Sequence, residues 1–487
     1  DHNVNMQGGG EKARYYASVG YLDQKGTTVG TALSRITSKV NLDYNVSNRL
    51  RFTSDFSYTH VDQNLNYTQS LRNMAYNKMP NMAIYQYDEY GNQTPVFFSP
   101  ESNIQGKYPS TANPLALAKA ALASQRGDRV IPHFSLKYDV KPAVLLATFD
   151  IVFDINNTKS QSFLPQIASG RPATESVVNR AFDSDGDTYA VSSKFNLLFT
   201  PSFKSDKHTL QSLLSIQTND IKHLGQSITT GNSASSNLQD VADPARVQNG
   251  DFDLSTSQDE SRQIGVVLVN QYAYLDRYII NVGARLDGNS LLSSKNRYGI
   301  FPSLSARWRV SGEPFMKNVR FLEDLSFRFS YGLSGSTPST NYGFYNNYVP
   351  TSSSYAGLSD VTAGNIGLDN VSWQTKVERD LGFNFWSFNN RVQLDVEVYS
   401  NKTIDLLFNG LAIPAYTGFT TITANVGTLI NRGFEIGLNT IPYKSKNIQI
   451  GFDFNIAKNE NVMQKVSDQF PASDGKRVDQ NGVYRTL

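Results

Sequence analysis

Asp183-Ser184-Asp185-Gly186-Asp187 is the one string in this chain whose carboxylates alternate like those of a metal loop. Hard oxygen ligands at that spacing suit Ca²⁺. The glycine falls two positions early for an EF-hand, and no distal glutamate completes the set. The blander reading, an Asp-Gly turn at a hairpin tip, fits the residues better. The histidines, His2, His60, His133, His208 and His223, never pair at zinc-ligand spacing. No phosphate-binding Walker loop, His-Glu-x-x-His or Gly-x-Ser-x-Gly occurs. Gly8-Gly9-Gly10 precedes a strand and not a helix, so it reads as a flexible lead and not as a phosphate cradle. With no cysteine, disulfides, thiolate metal sites and cysteine nucleophiles are excluded. A hydrolase whose Ser, His and Asp came from separate strands would leave no spacing signal, but nothing points to one. The expectation is therefore no catalysis, no cofactor and no metal. What remains is recognition. Residues 341–355 carry Tyr342, Phe344, Tyr345, Tyr348 and Tyr355 among Asn and Ser. Flat rings cover the apolar faces of sugars or peptides while amides hydrogen-bond, so these five are candidates for contact with a ligand or a partner.

The elements that must position such a loop are read from composition and period. The chain has 487 residues, of which 18% are charged and 12% aromatic. Its mean hydropathy is −0.39. No run of about 20 apolar residues exists, which excludes a helical membrane protein. The aromatic content argues against a disordered chain. A net charge of +2, from 45 basic and 43 acidic residues, points to no nucleic-acid partner. The opening residues, Asp1-His2-Asn3-Val4-Asn5, are polar and strand-like, so they are no signal peptide. The expectation is a mature chain or one whose front is missing.

Strict alternation is the dominant pattern. Val392, Leu394, Val396 and Val398 interleave with Arg391, Gln393, Asp395 and Glu397, and the parity resumes at Ile404, Leu406 and Phe408. One strand of about 18 residues is expected there. Ile448 to Ile456, Leu325 to Leu333, Leu145 to Ile155, Ile36 to Val46 and Tyr278 to Leu286 repeat the pattern. About fifteen such segments are legible, with charge on the second face. A soluble sandwich also alternates. Three features favour a transmembrane antiparallel β-barrel: strands long enough to cross a bilayer when tilted, a second face rich in Gly, Ser, Asn and charge, and rings at strand ends. Tyr15, Tyr16 and Tyr21, and Phe383, Phe385 and Trp386, are such clusters.

Short turns at Val46-Ser47-Asn48-Arg49, Phe388-Asn389-Asn390 and Tyr443-Lys444-Ser445-Lys446 alternate with long polar connections at 64–129, 225–260 and 336–371. That asymmetry matches short periplasmic turns and long extracellular loops. Within the first connection, Asn113-Pro114 followed by an Ala/Leu run to Leu122 reads as a short helix packed in a loop.

Several motifs, taken in order, resemble the SusC/RagA family of TonB-dependent outer-membrane transporters. Gly9-Gly10-Glu11-Lys12 with Tyr15-Tyr16-Ala17-Ser18-Val19-Gly20-Tyr21 and Gln24-Lys25-Gly26 resembles its first barrel strand. Tyr298-Gly299-Ile300-Phe301-Pro302-Ser303 running on to Trp308-Arg309, with Glu313-Pro314-Phe315 and then Phe329-Ser330-Tyr331-Gly332, is similar to its "YGxFPSxSxxWR…EPF" stretch. Residues 368–374 resemble its "NLKWE" region around Trp373, with Val371, Ser372 and Gln374 as departures. Lys402-Thr403-Ile404-Asp405-Leu406-Leu407, then Asn425-Val426-Gly427 and Asn431-Arg432-Gly433-Phe434-Glu435, complete the series.

The resemblance implies a 22-stranded all-β barrel that residues 1–487 cover only in part, without the family's plug domain, TonB box and last strands. It implies import of oligosaccharides or oligopeptides together with a SusD-like surface lipoprotein lid. The TonB–ExbB–ExbD complex would drive that import through the plug, using proton motive force. It also implies a Gram-negative, Bacteroidota-like outer membrane, contact with its lipid, and a dimer of the lid-and-barrel pair. The alternatives are a barrel serving protein export or surface assembly, and a passive porin.

Overall fold

The computed structural model describes residues 1–68, 71–78, 80–98, 112–169, 178–241, 252–355, 358–465, 476–478 and 484–486, with side chains 351–359 and those from 465 onward outside the description. The chain forms two compact units. One comprises residues 1–136, 150–192 and 220–260; the other comprises 137–149, 193–219 and 261–487. Eighteen of the described strands are hydrogen-bonded into one sheet.

In the first unit, β1 (His2–Gly9), β2 (Ala13–Lys25), β3 (Ala32–Asn45) and β4 (Leu50–Asn64) pair in succession, all antiparallel. Pairing keeps like faces together. Tyr15 lies opposite Leu42 and Tyr44 opposite Phe52, and a slip of one residue would turn each set to the polar face. Tight turns close two of these hairpins, through Gly10 N–H to the Ala13 carbonyl at 2.8 Å and Ser47 N–H to the Leu50 carbonyl at 3.1 Å. Gly8-Gly9-Gly10 is thus a hairpin end and not a flexible lead. A Cβ on Gly9 would collide with the Ala13 carbonyl.

The connection expected over 64–129 is shorter and more structured than its polarity suggests. It holds α1 (Leu71–Asn77), a hairpin of β5 (Tyr85–Tyr87) and β6 (Gln93–Phe97), α2 (Pro114–Ala120) and the start of β7 (Leu122–Lys141). The helix expected after Asn113 is α2. The Asn113 side chain accepts from the N–H groups of Leu115 and Ala116, and Pro114 occupies the first turn, where no N–H is needed. Beyond β8 (Leu145–Leu164), the one-turn α3 (Gln166–Ser169) supplies Ala168 to a small core with Leu71, Ala112, Ala116 and Leu117.

β9 (Arg180–Phe199), β10 (His208–Thr230) and β11 (Phe252–Tyr274) are 20, 23 and 23 residues long. They take up both ends of the loop expected over 225–260. Polar residues on both faces hid these strand ends. The carboxylates of 183–187 likewise lie inside β9 and form no turn, because the neighbouring strand pairs them: Asn157 donates to Asp185 at 2.9 Å and to Asp187 at 2.7 Å, and Gln161 to Asp183 at 3.1 Å.

In the second unit, the order continues through β12 (Tyr278–Asn289), β13 (Tyr298–Arg309), β14 (Leu322–Ser336), β15 (Tyr348–Tyr355), β16 (Leu358–Ala363), β17 (Gln374–Ser387) and β18 (Val392–Ile404). β19 (Leu407–Ala412), β20 (Thr421–Asn425), β21 (Thr428–Lys444), β22 (Gln449–Lys465), β23 (Lys476–Val478) and β24 (Tyr484–Thr486) follow. The antiparallel ladder skips the hairpins β15–β16 and β19–β20, which form separate two-stranded sheets. The single long strand expected over 391–408 ends at Ile404. Asp405 adopts a left-handed φ of 53° and turns the chain into the β19–β20 hairpin, although the apolar parity carries straight across.

The apolar face of the ladder is open. Val282 is 50% exposed, Ile300 69%, Leu381 60% and Phe454 57%. A sandwich would bury these side chains against a second sheet. Among the described residues nothing covers them, and the buried apolar residues lie mainly in the connections and at strand ends.

Candidate functional site

Registers across the second unit assemble the polar alternates into rows. One row reads Asn281, Ser305, Ser330, Asp380, Tyr399, Gly433 and Asn459, each opposite the next on seven neighbouring strands. Its members hydrogen-bond along the row: Asn281 to Ser305 at 2.9 Å, Ser330 to Asp380 at 2.9 Å, and the Tyr399 hydroxyl, reaching past Gly433, to Asn459 at 3.1 Å. The adjacent row carries Arg307 and Arg328 side by side, then Gly382, then Glu397 and Glu435 side by side. A cavity of about 370 Å³ opens on this face, lined by Asn281, Ser305, Arg307, Arg328, Ser330, Asp380 and Glu397. Such a wall offers charge of both signs and hydroxyls to a hydrated solute.

The first unit presents a similar face. Arg51 donates to Asp43 at 2.6 Å, Arg129 to Asp154 at 2.8 Å, and His133 stands between Asp55 at 3.2 Å and Asp150 at 3.5 Å. A cavity of about 670 Å³ beside Arg14, Tyr16, Asn41, Asp43, Thr53 and Asp55 lies on this unit. The His133 ring links separate carboxylates and does not converge with them. Among the described residues no three His, Asp or Glu side chains gather to hold a metal.

At the long-loop end of the second unit, three connections interlock. Phe301 meets Trp373 edge-on. Ser293 donates to the Asp369 carbonyl at 2.8 Å, Asn296 to the Val371 carbonyl at 3.2 Å, and Ser372 N–H to the Asn425 amide oxygen at 2.7 Å. Gln374, a departure from the family's glutamate, accepts the Leu407 N–H at 2.9 Å. Lys295 bonds Asp369 at 2.8 Å and holds that carboxyl below the ordinary range.

The aromatic loop rises from this base. Phe344 and Tyr345 pack with ring centroids 4.3 Å apart, and Asn365 pins the backbone at Asn347 N–H (2.6 Å) and the Tyr345 carbonyl (3.0 Å). Tyr345 is 56% and Tyr348 70% exposed. Tyr342 sits at φ 57°. The side chain of Tyr355 lies outside the described residues. The structure therefore gathers Phe344 and Tyr345 and leaves Tyr348 at the start of a hairpin. Sequence reading missed the rows of the polar face. Their residue types were visible as the polar alternates, but their neighbours were not.

An antiparallel ladder with an open apolar face and a hydrogen-bonded polar face is the wall of a membrane β-barrel, since lipid tolerates a sheet only where every backbone group is paired. The particular family follows from comparison. Residues 2–481 match the model of the TonB dependent receptor-like β-barrel, and the chain belongs to that family. It is an outer-membrane family of transport receptors and not of enzymes. The TonB-dependent receptor P39 of Formosa agariphila is 26% identical over 485 residues, covering 96% of this chain and 43% of that protein. The TonB-dependent receptor SusC of Bacteroides thetaiotaomicron is 32% identical over 206 residues, or 40% of this chain and 20% of that protein. Among solved structures, the RagAB peptide transporter aligns with a TM-score of 0.77 at 19% identity, over 96% of this chain and 51% of that one. The ferripyoverdine receptor of Pseudomonas aeruginosa gives 0.53 at 12% identity, over 95% of this chain and 56% of that one. These alignments establish the barrel fold. The chain spans about half the length of the relatives it matches.

Proposed function

We propose that this chain is the barrel wall of a SusC-like importer that takes up oligosaccharides or oligopeptides under a SusD-like lipoprotein lid. TonB supplies the work by pulling on a plug domain, at the expense of proton motive force. The observation that supports this most is the two-faced ladder, apolar and open on one side and hydrogen-bonded and charged on the other, within a chain of this family. In this reading the polar rows line the cargo path, and Tyr342, Phe344, Tyr345, Tyr348 and Tyr355 contact cargo or lid. SusC itself is similar over residues of the same barrel, and the RagAB structures are described as a peptide importer. The RagAB description supports the peptide class, and the resemblance of the motifs to the SusC/RagA family keeps oligosaccharides within the proposal.

Uptake of labelled oligosaccharides and oligopeptides by cells carrying the full protein tests the reading. Accumulation of one class that stops when the proton gradient is collapsed is expected, together with co-purification of a surface lipoprotein. Uptake that persists without the gradient would make the barrel a porin. Absence of uptake with a co-purifying secreted protein would make it an export or assembly partner.

A further inference from the structure

The apolar face carries a groove at the short-turn end of the second unit. Ile280, Ala306, Phe329, Leu381 and Val398 form one cross-strand row, and Tyr278, Trp308, Phe327, Phe383 and Val396 form the row nearer the turns. Ala306 is the single small side chain in either row, and a concavity of about 510 Å³ with an almost wholly apolar lining opens over it. The rings beside it form a chain: Trp308 to Phe327 at 6.3 Å and Phe327 to Phe383 at 5.3 Å between centroids.

The turn that joins the two central strands of the groove, residues 310–321, ends that chain of rings. It carries Lys317 and Arg320, both exposed, and among the described residues neither is in an ion pair. Phe315 projects from the same turn at 67% exposure and Phe321 at 50%. An apolar slot, then a belt of rings, then unpaired cations is the vertical order of a phospholipid: acyl chain, interface, phosphate.

We infer that this groove is a specific site for an anionic phospholipid of the inner leaflet, with an acyl chain over Ala306 and its phosphate between Lys317 and Arg320. The inference rests on reading the chain as an outer-membrane wall whose short turns face the periplasm. Ala306 is the residue that leaves room for the chain, and the two cations decide the headgroup.

The test uses the full protein reconstituted into nanodiscs of phosphatidylethanolamine and phosphatidylglycerol at 4:1 and released for native mass spectrometry. Phosphatidylglycerol should be retained above its share of the bilayer. Lys317→Gln with Arg320→Gln, on an exposed turn, should lower that enrichment by about fivefold per cation removed. Ala306→Phe should fill the slot and abolish retention of either lipid. Retention of phosphatidylglycerol only in proportion to its share of the bilayer by the unaltered protein, or unchanged enrichment in these variants, overturns the inference. Failure of the unaltered protein to insert into the bilayer would defeat the functional reading as well.

Discussion

Phe301 stands edge-on to Trp373, with ring centroids 5.4 Å apart and planes at 67°. The two residues belong to separate sequence motifs, and their contact fastens the long connection after β14 to the strand β13 that precedes it. Gly299 and Gly335 leave the space the Phe301 ring occupies. A Cβ on Gly299 would come within 2.6 Å of the ring, and one on Gly335 would overlap it. Gly335→Val should destabilise the folded barrel by about 1–3 kcal/mol, the usual cost of overpacking. Guanidinium unfolding in detergent, followed by tryptophan fluorescence, measures it. No loss would mean that the ring yields freely.

Glu313 closes the other end of the same strand pair. It accepts from the Trp308 indole at 3.1 Å and from Arg277 at 3.1 Å, and its side chain is 8% exposed. A hydrogen bond from Tyr278, then those from Trp308 and Arg277, hold the carboxyl below the ordinary glutamate range. A carboxyl whose folded pKa is depressed stabilises the fold fully above its unfolded value, about 4.3, and less as pH falls through the folded value. Melting temperature should therefore drop more steeply below about pH 4 in the native protein than in Glu313→Gln, which has already lost the ionised form. Parallel pH profiles would remove this role.

Asn113 bonds in two directions. Its oxygen caps α2, and its amide donates to the Ile84 carbonyl at 2.8 Å and the Phe98 carbonyl at 3.0 Å. Asn113→Ala should loosen the loop cluster by about 1–2 kcal/mol through loss of the cap alone. Faster protease nicking within residues 65–121, with the barrel strands intact, is the expected readout.

Asp405 holds φ at 53° where the chain leaves the main sheet. A β-branched residue resists that conformation, and glycine adopts it freely. Asp405→Val should cost about 1–2 kcal/mol, and Asp405→Gly should be close to neutral. Equal unfolding midpoints for the two variants would show that the left-handed backbone is not the constraint.

Tyr345 and Tyr348 are exposed on a hydrogen-bonded base and support no core. Tyr345→Ala with Tyr348→Ala should leave folding unchanged and weaken cargo or lid binding by roughly 1–3 kcal/mol for the two rings together. Titration of purified barrel with lid, and uptake by cells, distinguish the two contacts.

Alternation alone determined which side of each ribbon is greasy, because a strand places successive side chains on opposite faces whatever it pairs with. Strand length, a second face of Gly, Ser, Asn and charge, and rings at strand ends then separated a membrane barrel from a soluble sandwich, and Pro114 with the Ala/Leu run after it disclosed α2. Alternation failed where both faces turn polar, as in β9 around Asp183 and at the ends of β10 and β11, since a charged strand and a polar loop have the same composition. It also failed at Asp405, where one backbone angle redirects the chain without breaking parity. Tertiary structure alone decided register. Pairing puts Arg307 beside Arg328, passes Tyr399 over Gly433 to Asn459, and brings Trp373 to Phe301. A period of two tells each residue its face but not its neighbour, and the site consists of neighbours.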